Sequence, residues 1–298
     1  FYMQGGLNGK ALADGQLRFG NELDEFLALL EHAESALRNA PEDYLLGMAP
    51  HSLRAVSPES LQEIVEARTS GPVHIHIAEQ LKEVDDVLEN YGARPVEWLL
   101  QNANVDSRWC LIHATHMNPQ ETRNVAKSGA VVGLCPITEA NLGDGVFDGS
   151  EFLSSGGKYG IGSDSNVFIA LTEELRLLEY SQRLIRKERN VMTSNSGSVG
   201  RALYNNALVG GAQALGRKSG SISPGNWADL VSLDTESLSL WGCTDDEFLD
   251  RWIFTADDSL VREVWSAGRQ MVTHGQHIHH QEIEQLYRTV IQEIRQDK

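Results

Sequence analysis

The 298-residue chain has no apolar run approaching the roughly 18 residues needed to cross a bilayer, and no signal-peptide pattern opens it. Cysteine is scarce. Cys110, Cys135 and Cys243 are odd in number and widely spaced, which argues against a disulfide framework and fits a reduced, cytoplasmic protein. Basic residues are outnumbered, 25 Lys+Arg against 42 Asp+Glu, and the formal charge of −17 would repel nucleic acid and anionic membrane surfaces. No Gly-rich turn joins a strand directly to a helix. The nearest cluster, Gly143-Asp144-Gly145, follows a polar stretch, so dinucleotide phosphate binding is not expected. Internal repeats and low-complexity segments are also missing. Nor does the chain open with Met: Phe1-Tyr2-Met3-Gln4-Gly5-Gly6 reads like the middle of a protein, and an N-terminal portion is expected to be absent.

What remains is a packed globular composition, 41% hydrophobic and 22% charged, long enough for one large or two ordinary domains. Apolar residues at helical spacing predict a helix over 21–38. Further helices are predicted from Ser57-Pro58, around 84–88 and 96–100, from Asn118-Pro119, and over 171–184 and 199–215. Short apolar runs predict strands at 44–49, 72–77, 110–113, 130–135 and 159–162. Nearly all-apolar strands alternating with helices indicate a parallel sheet buried on both faces, either an open doubly wound sheet or part of a (β/α)8 barrel. From about 219 to 280 the pattern changes to a turn, a short strand and a hairpin. This small β unit is expected to be closed by an amphipathic helix at 283–294.

His76 and Glu79 fall at the end of one predicted strand, His113 at the end of the next, and Asp164 after the last. In a barrel these C-terminal strand ends form the active-site face. Two neutral imidazoles and a carboxylate suit a divalent metal such as zinc, which lowers the pKa of water to about 7. Each residue also has a plainer role. His74 alternates with Ile75 one layer deeper, as a core histidine would, and His76 could be the same. Glu79 could start a surface helix, Asp164 could cap the next one, and His116 could serve a loop. Arg54, after the first predicted strand, offers a carboxylate fork or a loop salt bridge. Cys135 reads as a buried structural thiol, and His274, His277, His279 and His280 as a solvated strand end. It is the joint pattern at successive strand ends that favours chemistry.

His76-Ile77-Ala78-Glu79, Ile112-His113-Ala114-Thr115-His116 and Gly162-Ser163-Asp164-Ser165 occur in this order. With Gly220-Ser221-Ile222-Ser223-Pro224-Gly225 and Ala228-Asp229-Leu230-Val231 they resemble the amidohydrolase superfamily. His51-Ser52-Leu53-Arg54-Ala55-Val56, His74-Ile75-His76-Ile77-Ala78-Glu79-Gln80, Thr138-Glu139-Ala140-Asn141-Leu142-Gly143-Asp144-Gly145 and Glu173-Glu174-Leu175-Arg176-Leu177-Leu178-Glu179-Tyr180 narrow the likeness. They point to the branch that deiminates N-formimino-L-glutamate in histidine degradation, and the likeness covers almost the whole chain.

The resemblance implies a TIM-type (β/α)8 barrel with a small composite β-sandwich. Residues 1–218 would be the C-terminal part of the barrel, and 219–298 the C-terminal part of the sandwich plus a terminal helix. It implies that His76 and Asp164 ligate one divalent metal ion, usually zinc, and that His113 beside it polarises the attacked centre. Glu79 would hydrogen-bond the imino nitrogen and deliver protons, and Arg54 would hold a substrate carboxylate, with His51 in the same pocket. The family takes two further ligands from a His-x-His pair on its first barrel strand. Here His74-x-His76 lies on a later strand and His277-x-His279 follows the last hairpin, so neither fills that place. The first strands of a protein of about 450 residues are therefore expected to be missing. The activity implied is hydrolytic deimination to N-formyl-L-glutamate and ammonia. The expected partner is a small dicarboxylate, with room for a homodimer and no role for nucleic acid or membrane. A purine- or pterin-type deaminase, or a non-catalytic fragment lacking the His-x-His pair, stays open. Because a dicarboxylate must enter a chain of charge −17, the reading requires a local cation such as Arg54 together with the metal.

Overall fold

Ser57 and Asn118 open their helices as the sequence predicts: Ser57 Oγ accepts the Ser60 N–H at 3.1 Å, and Asn118 Oδ1 accepts those of Gln120 and Glu121 at 2.9 Å. In each case proline follows at the first helical position, where its missing N–H costs nothing. The computed structural model describes residues 1–193 and 197–296. In chain order these form α1 (Leu23–Leu37), α2 (Pro58–Ala67), β1 (Val73–Ile77), α3 (Leu81–Tyr91), α4 (Pro95–Asn102), β2 (Trp109–His113) and α5 (Pro119–Ser128). There follow β3 (Val131–Leu134), α6 (Pro136–Leu142), α7 (Gly149–Ser154), β4 (Lys158–Ile161), α8 (Leu171–Arg186) and α9 (Val199–Ala214). The remainder comprises β5 (Leu230–Leu233), α10 (Glu247–Thr255), β6 (Val261–Ser266), β7 (Arg269–Thr273), β8 (Gln276–His277) and α11 (His280–Gln296).

The fold is α/β. Strands β1 to β4 lie side by side in chain order, every neighbouring pair parallel, and Ile75, Leu111, Val132 and Tyr159 form one continuous row across them. All four of these side chains are buried. Because the order never doubles back, the described strands contain no switch point of a doubly wound sheet. Helix α9 packs closely on β4 through Gly210, where a Cβ would lie 1.9 Å from the Tyr159 carbonyl oxygen.

Several expectations are corrected. The stretch 44–49 is not a strand; it runs beside β1 through two isolated parallel bridges, Met48–Val73 and Ser52–His76. Pro50 between them has no N–H to donate, so the ladder is interrupted. The polar run 138–145 begins inside α6, which Pro136 opens and Gly143 closes at φ +73°. Its Thr138 and Glu139 point inward, so no apolar periodicity announced the helix. The β unit is one antiparallel sheet in the order β5-β6-β7-β8, with α10 inserted between its first two strands. Its strands contain no buried residue, and the local core lies under α10 at Leu249, Trp252 and Leu260. α11 forms where expected but does not close the unit. No residue of α11 is buried, and Ile283, Leu286, Tyr287, Val290 and Ile294 remain about half exposed or more.

Candidate metal and substrate site

On β1 the side chains alternate as predicted: Val73, Ile75 and Ile77 are buried, while His74 and His76 are half-buried on the other face. At or just past the ends of β1, β2 and β4 the backbone enters a region that side chains rarely adopt, with φ of +51° at Ala78, +69° at His113, +49° at Ala114 and +41° at Asp164. Such strain persists only where surrounding structure over-determines it. Here the Ala114 N–H donates to the Ile77 carbonyl and the His116 N–H to the Ala78 carbonyl, each at 3.0 Å, stitching the two loops together.

These turns converge His76, His113 and Asp164, whose ligand atoms all lie within 4.8 Å of one another. The ring of His76 donates its Nδ1–H to the His51 carbonyl oxygen at 2.8 Å, which leaves Nε2 with a free lone pair. Buried His113 is flanked on both nitrogens, by Glu139 Oε1 at 3.2 Å from Nδ1 and Glu79 Oε1 at 3.7 Å from Nε2. Burial works against its cation. The hydrogen bond to Glu139 and the charges of Glu79, Glu139 and Asp164 overcome this and hold the imidazole above its ordinary range. Two nitrogens and a carboxylate oxygen so placed form a donor set that suits zinc.

The ring of His51 lies 4.7 Å from that of His76, tilted by 31°, and burial first, then His76 and Arg54, lowers its pKa to about 4. It therefore stays neutral at pH 7. His51 lines two cavities: one of about 890 Å³ that also touches His74, His76 and Ile112, and one of about 330 Å³ that it shares with Arg54 and Gln80. Arg54 makes no ion pair among the described residues, and its buried Nε has no hydrogen-bond partner there, so a loop salt bridge does not account for it.

The plainer roles sort themselves. His74 Nε2 bonds the Ala214 carbonyl at 2.8 Å and His116 Nε2 the Asp144 carbonyl at 2.7 Å, so both serve structure. Glu79 precedes α3, whose N-cap is Gln80, and Asp164 does not cap the following helix α8, whose N-cap is Ala170. Cys135 is buried, and burial pushes its thiol far up. His274, His279 and His280 are exposed on the second sheet's side of the chain. Sequence reasoning passed over Glu139 as a site residue. It also passed over Glu174, whose Oε2 accepts the Ile137 N–H at 2.8 Å while the buried Oε1 has no partner among the described residues. Burial, with Glu139 and Asp164 nearby, pushes Glu174 up to about 7. Both lie in stretches that carried the resemblance, which was the available signal.

Comparison with known proteins finds relatives along most of the chain. A family model described as the amidohydrolase family matches residues 19–271. Formimidoylglutamate deiminase of Pseudomonas aeruginosa is 45% identical over 278 residues, which cover 93% of this chain and 61% of that protein. The crystal structure of an amidohydrolase from Brucella melitensis superposes with a TM-score of 0.93 at 48% identity, covering 98% of this chain and 64% of that one. An adenosine deaminase from Xanthomonas campestris with bound zinc superposes with a TM-score of 0.76 at 25% identity, over 86% of this chain and 58% of that one. The chain thus spans about three fifths of the length of these relatives.

Proposed function

The chain belongs to the amidohydrolase family, and from that premise we propose that it serves the hydrolytic deimination of N-formimino-L-glutamate to N-formyl-L-glutamate and ammonia. The observation that carries the proposal is the convergence of His76, His113 and Asp164 at parallel strand ends, with Glu79 against His113. Its support from relatives is the formimidoylglutamate deiminase likeness. On this reading β1 to β4 are consecutive staves of a (β/α)8 barrel within residues 1–218, and residues 219–298 belong to a small β-sandwich domain with its terminal helix.

His76, through its free Nε2, and Asp164 would hold one divalent ion, zinc by the nature of the donors. Bound there, the ion supplies Lewis acidity that makes water a competent nucleophile near pH 7. The remaining work falls to side chains. Arg54 binds a substrate carboxylate in the smaller cavity, which neutral His51 also lines. His113 polarises the amidine carbon as water adds to it. Asp164 takes the protons of that water, the second as the adduct's hydroxyl becomes a carbonyl, and with Glu79 relays both to the departing nitrogen, because amide ion is too poor a leaving group to depart unprotonated. Cleavage of the carbon–nitrogen bond then leaves a formyl carbonyl and ammonia.

One observation favours a second reading. The apolar cavity of about 890 Å³ next to His76, in a fold shared with a deaminase of adenosine, would accommodate a purine. The test is ammonia release by the zinc-loaded protein from formiminoglutamate and from a panel of purine nucleosides. Equimolar ammonia and N-formyl-L-glutamate are expected; release from a nucleoside alone, or from nothing, overturns the assignment.

A further inference from the structure

We infer that Glu139 is a positioning residue that fixes the ring of His113, clamping it to the turn that leaves β3. The inference rests on the reading of His113 as the group that polarises the substrate. One oxygen, Glu139 Oε1, lies 3.2 Å from His113 Nδ1 and accepts the Cys135 backbone N–H at 3.0 Å. Both side chains are buried, Glu139 to 5% and His113 to 1% exposure, so no water competes for these bonds. Cys135 engages this oxygen through a donor, and the carboxylate offers His113 only an acceptor, so the ring proton sits on Nδ1.

That bond also fixes which edge of the ring faces the site. Turning the imidazole over would exchange Nδ1 with a carbon, abandon Glu139, and present C–H instead of Nε2 to Glu79. The helix that carries Glu139 is anchored on the other side of the site as well. Thr138 Oγ1 lies 3.0 Å from Ser165 Oγ and accepts the Ser165 N–H at 3.4 Å, next to Asp164. Pro136 and Gly143 bound this helix, and Glu174 holds the Ile137 N–H at its start. α6 therefore brackets three strand ends: β2 through His113, β3 through Cys135 and β4 through Ser165. Strained φ values at His113 and Asp164 require such a bracket.

The test reads the His113 ring directly, by long-range ¹H–¹⁵N NMR of the chain. H113Q is used for assignment, and Glu139→Ala and Glu139→Gln are compared. In the unmodified protein Nδ1 should carry a proton. E139A should release the ring to a mixture of tautomers, whereas E139Q, which keeps an acceptor oxygen in place, should restore the original signal. In the deimination assay E139A should lower kcat about 10–100-fold at nearly unchanged KM, with E139Q within about threefold of the parent. A bare Nδ1 in the unmodified protein overturns the inference without any variant. So does an E139A ring signal identical to the parent's. Should E139A fail to fold, the unmodified protein and E139Q decide the matter. Absence of turnover in the unmodified protein would count against the deiminase reading and leave the ring measurement intact.

Discussion

Glu83 holds the turn that presents Glu79: its Oε2 accepts the Glu79 backbone N–H at 3.1 Å while its Oε1 accepts that of Ala78 at 3.0 Å. The arrangement recurs. Glu121 accepts the Asn118 N–H, Glu139 that of Cys135, Glu174 that of Ile137, and Glu179 those of Val191 and Met192. All five glutamates are buried. Part of the acidic surplus is thus spent inside the molecule, satisfying loop N–H groups where no strand or helix partner reaches them.

Glu83→Ala removes the acceptor for two N–H groups in a buried turn. Each unsatisfied group costs about 1–3 kcal/mol, so the variant should lose roughly 2–6 kcal/mol in urea denaturation. Turnover should fall along with it, since Ala78 at φ +51° loses its support. A loss below about 0.5 kcal/mol, as at an ordinary surface site, would show that the turn holds itself.

Arg54→Met should lower kcat/KM about 10–1,000-fold toward a carboxylate-bearing substrate, since a charge-assisted contact is worth about 1.5–4 kcal/mol. The buried, unpartnered Nε and the adjoining polar cavity are the reason to expect it. Steady-state kinetics with the free acid and its amide separate the effects, because only the acid should notice the change. Unchanged efficiency would remove Arg54 from the pocket.

Asp164→Asn keeps a residue type that tolerates φ near +41° but takes away the charged ligand. Zinc content by atomic absorption should drop from about one equivalent, while circular dichroism stays that of the parent. Retention of a full equivalent would place the metal elsewhere. Chelation of the parent should abolish ammonia release and readdition of zinc should restore it.

A fourth expectation concerns acid. Arg269 grips Asp43 through two bonds, at 2.9 and 2.6 Å, and Arg217 does the same to Asp229 at 2.6 and 2.8 Å. The Arg269 guanidinium beside Asp43 and the Arg217 guanidinium beside Asp229 hold both carboxyls below the usual range of about 3.8. Carboxylates depressed on folding contribute stability that is complete above the unfolded pKa and disappears as pH falls through the folded one. The stability gap between the parent and D43N should therefore be constant above about pH 4 and close below it, measured by urea titration at each pH. A gap that persists unchanged into strong acid would mean that Asp43 acts by packing alone.

Local periodicity made much of this protein readable. The alternation at Val73, His74, Ile75 and His76, the proline-led starts at Ser57 and Asn118, and the apolar runs of β2 to β4 all depend on neighbours in sequence, so they could be read without the fold. The same locality explains the failures. α6 turns its polar residues inward to bind distant backbone, which inverts the usual pattern. α11 has its amphipathic stripe whether or not anything covers it.

The order of His76, His113 and Asp164 along the chain declared the chemistry, because residue type and strand-end position are one-dimensional properties. Their meeting within 4.8 Å depended on strands pairing in parallel across long separations. Which ring nitrogen is free was decided later still, by the His51 carbonyl against His76 and the Glu139 carboxylate against His113, partners 25 and 26 residues away. A hydrogen bond is set by distance and direction in space, and no spacing along a chain encodes either.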